Sequence, residues 1–188
     1  MSAASELSVL GICGSLRAGS YNMAALRTAI ELKPPRMTIR IADISAFPLY
    51  NEDVRAQGFP LPVEIFRQQI REAEALLFAT PEYNYSIPGV MKNAIDWASR
   101  PPDQPFAGKP VAIIGTGAGM AGTARAQYDL RRSCVFLDMH PLNKPEVLIG
   151  QAQTKFDAKG RFTDEAGRGF IRDMLVALEQ WTRLIGRK

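Results

Sequence analysis

Histidine is almost absent from this chain of 188 residues, His140 being the only one. It stands beside Pro141 with no serine–acid pair and no cluster of Cys, Asp and Glu around it, so neither a histidine-based triad nor a zinc site is expected, and a structural or surface role is. Cysteine is scarce too. Cys13 and Cys134 lie in different apolar segments and form no C-x-x-C, which excludes a disulfide framework. No apolar run reaches the roughly eighteen residues that a membrane helix needs. The opening M-S-A-A-S-E lacks the basic and apolar regions of a signal peptide, and a cytoplasmic location is the expectation. Charge of one sign is also in short supply. The net value of +4 comes from 23 basic and 19 acidic residues, with local density only at Arg131–Arg132 and at Arg183, Arg187 and Lys188. A nucleic-acid binder would gather its basic residues on one face and interleave aromatics. The excess reads instead as mild steering toward small anions. With 46% hydrophobic and 22% charged content and no repeats, residues 1–188 are expected to form a single domain with a full core.

What is present starts at Leu7. L-S-V-L-G-I-C is an apolar run with strand character; Gly14 ends it, and S-L-R-A-G-S-Y-N leads into a helical pattern from about Met23 to Leu32. A buried strand feeding a short loop that opens a helix is half of a βαβ unit, and in open α/β sheets ligands sit at the carboxyl ends of such strands. Ser15, Ser20 and Asn22 offer side-chain hydrogen bonds, and Arg17 offers a planar fork matched to phosphate. The helix N-terminus adds free amides and a positive dipole end. This is a cradle for one phosphate monoester. It is not the triphosphate loop, which needs G-x-x-x-x-G-K-[ST]. The competing interpretation is a Ser/Gly turn with a helix cap at Ser20 and Arg17 in solvent.

Further on, Met37 to Asp43 alternates like a less central strand, and residues 44–60 form a long turn-rich loop, a candidate wall of a site. A helix starts near Pro62. Ala75 to Thr80 is continuous and apolar, as in a parallel strand buried on both faces. P-E-Y-N-Y-S-I-P-G (81–89) follows, and Pro88 opens a helix carrying Met91, Ile95 and Trp97. V-A-I-I-G at 111–115 is the next strand. A glycine-rich loop, 115–123, precedes a helix reaching roughly Asp138, and a short strand is expected around Glu146 to Ile149. Residues 151–162 read as a loop before a long amphipathic closing helix. This alternation predicts a flavodoxin-like α/β fold: a doubly wound parallel sheet of five strands in the order 2-1-3-4-5, helices on both faces. In that order the loops after the first, third and fourth strands line one crevice.

Tyr83 and Tyr85 are placed to flank a flat ring, with the backbone from Glu82 to Asn84 along its edge. The third loop is nearly all backbone and lets a planar heterocycle lie close. A monophosphate at one end and a hydrogen-bonding planar ring at the other describe FMN better than ATP or a dinucleotide. Gly117, Gly119 and Gly122 do spell G-x-G-x-x-G, with Asp138 further on. That fingerprint needs its acid at the end of a second strand. Here Asp138 follows a helical pattern, so the dinucleotide reading is disfavoured.

Two segments, G-S-L-R-A-G-S-Y-N (14–22) and P-E-Y-N-Y-S-I-P-G-V-M-K-N-A-I-D-W (81–97), resemble the signatures of the NADPH-dependent FMN reductase family. A-R-A-Q-Y-D-L-R (124–131) and N-K-P-E (143–146) are similar to its quinone and chromate reductases. The resemblance covers nearly the whole chain. It implies non-covalent FMN, NADPH or NADH as electron donor, and a ping-pong transfer of two electrons to a small-molecule acceptor: a quinone, chromate, an azo compound or free flavin. It also implies a homodimer or homotetramer, with no nucleic-acid or membrane partner. By position, Ser15, Arg17, Ser20, Tyr21 and Asn22 would hold the phosphate end. Pro81, Glu82, Tyr83 and Asn84 would border the ring, with Ser86 close by and Thr116, Gly117 and Gly119 in the third loop. Where similar reductases carry serines in that loop, this chain has Thr116 and Gly117, and their amides are expected to stabilise charge on the flavin edge.

No catalytic side chain is assigned, since the flavin supplies the chemistry. Glu82 is read as acting through its backbone, Cys13 as core, and Trp97 and Trp181 as apolar helix-face residues, Trp97 with an interface as the other option. Arg125 and Tyr128 fit an oligomer contact or a solvated face equally. Two alternatives stand beside the reductase: a flavodoxin-like electron carrier, which the basic balance disfavours, and a flavin-binding sensor.

Overall fold

The computed structural model describes residues 6–186. The residues before Glu6, and Arg187 and Lys188 of the terminal basic group, lie outside the described residues. The elements in order are β1 (Leu7–Cys13), α1 (Tyr21–Leu32), β2 (Met37–Ala42), α2 (Glu52–Arg55), α3 (Leu61–Glu72), β3 (Ala75–Ala79), α4 (Gly89–Ala98), β4 (Pro110–Thr116), α5 (Ala124–Phe136), β5 (His140–Pro141), β6 (Val147–Ile149) and α6 (Glu165–Ile185).

All strand pairs are parallel, in the order β2-β1-β3-β4-β5, as the alternation of elements required. The fifth position holds two short pieces. His140 and Pro141 pair with the start of β4, at Pro110 and Val111, while Val147 to Ile149 pair with its end, at Ile114 to Thr116. The expected strand near 146–149 is present. His140–Pro141 went unread, because two residues show no alternation and proline brings no amide to a ladder. The His140 backbone carbonyl accepts from Trp181 Nε1 at 2.8 Å, tying this strand to α6. Likewise the 44–60 loop contains the four-residue α2, too short for a period.

The sheet separates two cores, and strand alternation assigns residues to each. Val9, Cys13, Leu77 and Ile114 pack with Leu26 of α1 and Met174, Leu175 and Leu178 of α6. Leu10, Ile12, Phe78 and Ile113 pack with Phe66 of α3, Met91 and Ile95 of α4 and Leu130 of α5. β3 and β4 are buried along their full length, the mark of strands covered on both faces. Trp97 is fully buried and its Nε1 donates to the Pro48 carbonyl at 2.8 Å, so it belongs to the core and not to a surface.

At the carboxyl edge the strand ends are tied together. Gly14 N donates to Ala79 O at 2.8 Å and Thr80 N to Ile114 O at 3.0 Å. Gly115 is required where the third loop passes β3: a Cβ there would lie 1.8 Å from Thr123 Oγ1 and 2.7 Å from Thr80 O. Asp138 is far from this edge. It follows α5 with φ 53° and its carbonyl accepts from Gly108 N at 2.8 Å, at the entry of β4. The acid of the apparent dinucleotide fingerprint is therefore at the opposite end of the sheet from its glycines.

Candidate functional site

Three loops meet at the carboxyl ends of β1, β3 and β4 around a cavity of about 320 Å³. The first loop contributes Ser15, Arg17, Ser20, Tyr21 and Asn22, the second Pro81, Glu82 and Tyr83, the third Thr116, Gly117 and Ala118. Two larger cavities lie elsewhere. One of about 750 Å³ runs between α4 and α5, and one of about 520 Å³ lies beside α1 and the start of α6. Neither is lined by the first or the third loop, and the second reaches only the α4–α5 cavity, through Ser86 and Ile87. Chemistry, not size, selects the smaller one.

Ser20 is the N-cap of α1, its Oγ accepting from Met23 N at 3.2 Å. The cap and the cradle turn out to be compatible, because the capping hydroxyl still has a proton to donate and the cap leaves the first helical amides unpaired. Tyr21 N and Asn22 N have no acceptor among the described residues. Arg17 is exposed and makes no ion pair among the described residues. Its guanidinium carbon lies 5.3 Å from the centroid of the Tyr21 ring.

Asn22 departs from its expected role. It is buried, its Nδ2 donates to Thr116 O at 3.1 Å and its Oδ1 accepts from Thr116 N at 2.9 Å. Most of its capacity thus ties the first loop to the third, leaving one Nδ2 hydrogen. The same bonds revise the third loop. Thr116 N is taken by Asn22 and Gly117 N donates to Ile149 O at 2.9 Å, so the two amides expected to face a flavin edge are both engaged. What this loop offers is the Ala118 amide, which has no acceptor among the described residues, and the buried Thr116 Oγ1, which has no hydrogen-bond partner. Ala118 escaped the sequence reading because an alanine carries no functional group to notice.

In the second loop, Tyr83 and Ser86 exchange two backbone hydrogen bonds of 3.0 Å across a two-residue turn. Asn84 and Tyr85 there have φ of 51° and 66°. Positive φ at both central positions is the hairpin turn that matches strand twist, tolerable for asparagine and strained for tyrosine. Tyr85 turns away from the cavity, its ring 4.0 Å from the Arg125 guanidinium carbon. Of the two tyrosines of this loop, Tyr83 is the one that lines the cavity. Glu82 points at α5: its Oε2 accepts from Arg125 N at 3.0 Å and Ala126 N at 3.2 Å, and Oε1 pairs with Arg125 Nη1 at 2.6 Å. The carboxylate caps a helix, which leaves it unavailable as a base. Arg125 thereby acquires a role inside the subunit, whereas Tyr128 stays exposed. Asn84, Ser86 and Gly119 do not line the cavity; Ser86 lines the α4–α5 groove, and the Gly119 carbonyl accepts from Gln151 N. Cys13 closes β1 as a buried thiol whose pKa is raised by burial.

The residues present fit FMN. One cavity is lined by Arg17, which has no ion pair among the described residues, by the hydroxyl-bearing Ser15 and Ser20, by Tyr83, and by Thr116, whose buried Oγ1 has no hydrogen-bond partner. The fold is that of a flavodoxin-like α/β protein, a parallel sheet in the order 2-1-3-4-5 covered by helices on both faces. Comparison carries this further. The model of the NADPH-dependent FMN reductase family matches residues 7–154, and the chain belongs to that family. It is 66% identical over 178 residues to an NAD(P)H-dependent FMN reductase of Pseudomonas aeruginosa, covering 95% of this chain and 96% of that one. It is 43% identical to a quinone reductase of Escherichia coli, covering 96% and 97%. Among solved structures, the flavoenzyme NAD(P)H:(acceptor) oxidoreductase of Paracoccus denitrificans superposes with a TM-score of 0.85 at 35% identity, covering 95% and 98%. The family and fold that the two signature segments pointed to are both borne out.

Proposed function

We propose that this chain is an NAD(P)H-dependent oxidoreductase that binds FMN non-covalently in the crevice and reduces quinones or similar small acceptors. The observation that carries the reading is the state of Arg17: a guanidinium with no ion pair among the described residues, lining one cavity with Ser15, Ser20 and the first residues of α1. These groups match the charge and the lone pairs of a phosphate monoester. When bound, FMN supplies the two-electron chemistry between a reduced nicotinamide and an acceptor. The protein binds and orients. Arg17, Ser15 and Ser20 would take the phosphate with the Tyr21 and Asn22 amides. Tyr83 and the Pro81–Glu82 backbone would border the ring, and Thr116 Oγ1 and the Ala118 amide would meet its polar edge. This ligand set leaves out Asn84, Ser86 and Gly119. No side chain of the crevice is required as an acid or base, since Glu82 is engaged at α5.

A second copy of the chain is the proposed partner. The exposed Tyr128, Val135 and Phe136 of α5 flank the groove against α4 and form an apolar face that a homodimer or homotetramer would cover. No helix among the described residues is long and apolar enough to cross a membrane. Two free, buried cysteines suit the reducing cytoplasm proposed as its location.

Anaerobic stopped-flow absorbance tests the activity. FMN-loaded protein mixed with NADPH or NADH should lose its flavin band and regain it on addition of a benzoquinone. Flavin that binds yet is bleached by neither nucleotide would leave an electron carrier or sensor in place of the reductase.

A further inference from the structure

Between β6 and α6 the chain forms a small hairpin that the crevice chemistry does not account for. Asp157 N donates to Arg161 O at 2.9 Å and Thr163 N to Lys155 O at 2.9 Å, and Phe156 and Phe162 face each other as a bridge pair. Asp157 closes the tip. Its Oδ1 accepts from the amides of Lys159 and Arg161, each at 2.9 Å, and its Oδ2 from Arg161 Nε at 2.7 Å. Phe162 is buried and anchored on the first turn of α6, where a Cβ on Gly167 would come within 2.4 Å of its ring. Only glycine permits that contact.

From this anchor aromatic rings lead to the cradle. Phe162 and Phe156 lie 4.9 Å apart between centroids, Phe156 and Tyr21 stack at 4.5 Å with 29° between planes, and the Arg17 guanidinium follows at 5.3 Å from Tyr21. Tyr21 and Arg17 both line the cavity, whereas Phe156 does not. An arginine with no ion pair samples many rotamers and loses that freedom on gripping an anion. A fixed ring beneath the guanidinium narrows its range beforehand. Tyr21 is half-buried, and stacking on Phe156 is what fixes its ring.

We infer that the 155–163 hairpin positions the phosphate-binding arginine: Phe156 holds Tyr21, and Tyr21 holds Arg17. Phe156 is thus a positioning residue for the phosphate end of the cofactor without touching it. The inference rests on the cradle being the FMN phosphate site.

The test uses the full chain stripped of flavin, titrated with FMN and with riboflavin, which has the same ring and no phosphate. Phe156→Ala should weaken FMN about tenfold, the cost of ordering one long side chain, and leave riboflavin within about twofold. Phe156→Leu, which keeps the apolar volume of the hairpin, should do the same, and Phe156→Tyr should restore parental binding. In an Arg17→Ala background the Phe156 substitution should add nothing. Unchanged FMN affinity, an equal loss for both flavins, or additive losses with Arg17→Ala would each overturn the inference. If Arg17→Ala itself fails to lower the preference for FMN over riboflavin, the cradle reading falls, and the hairpin's role with it.

Discussion

Asn22 gives both ends of its side-chain amide to one residue 94 positions away, Nδ2 to the carbonyl and Oδ1 to the amide of Thr116. The pair joins the loop after β1 to the end of β4 and sets the width of the crevice between them. Both residues are buried, so neither backbone group has water as a substitute.

Asn22→Ala therefore leaves one buried donor and one buried acceptor without partners. The expected loss of stability is about 2–4 kcal/mol, read as a shift in the urea midpoint at unchanged slope. A loss below about 0.5 kcal/mol, the range of ordinary surface substitutions, would show that the bonds do not brace the crevice.

Arg17→Ala should behave in the opposite way. Arg17 is exposed and unpaired among the described residues, so stability should change by less than about 0.5 kcal/mol. FMN affinity should fall roughly 10- to 100-fold, the worth of a charge-assisted contact, and should become less sensitive to salt. Fluorescence titrations at two ionic strengths measure both; an unchanged affinity removes the arginine from the cradle.

Glu82 separates capping from catalysis. Glu82→Ala should cost about 1–2 kcal/mol through the amides of Arg125 and Ala126, and Glu82→Gln less, because the retained oxygen still accepts. Turnover of Glu82→Gln should keep the parental pH profile. Loss of turnover in a stably folded Glu82→Gln protein would make the carboxylate part of the chemistry.

Cys134 is buried in the core under α5, and burial pushes its thiol from 9.0 to about 11. The folded state holds this proton more tightly than the unfolded chain. Its contribution is therefore fully present below pH 9 and declines as pH rises from 9 toward 11, by roughly 2–3 kcal/mol in total. Urea midpoints of the parent and Cys134→Ala, compared at pH 8 and above, should show the parent losing more. Parallel curves would mean that the thiol titrates alike in both states.

The strand–loop–helix unit around residues 14–22 was readable because its parts are adjacent in the chain: a strand that stops, a short loop, a helix that starts. The strand order was readable because buried runs separated by helices leave few right-handed arrangements. Expectations went astray wherever one atom had to choose between partners. The Thr116 and Gly117 amides look open in sequence, yet Asn22 and Ile149 bring acceptors within 3 Å. Tyr85 was expected to flank a flat ring in the crevice, but Arg125 draws it aside.

The sequence by itself determined the layered parallel sheet, its strand order and the three loops that meet at the carboxyl edge. Periodicity, turn residues and loop composition act over a few neighbouring positions and survive translation into structure. The tertiary structure decided which polar groups stay free for a ligand, the division of the fifth strand position between His140–Pro141 and Val147–Ile149, and the stacking of Phe156 on Tyr21. Hydrogen bonds and ring contacts act only within a few ångströms, and chain distance says little about which groups will come that close.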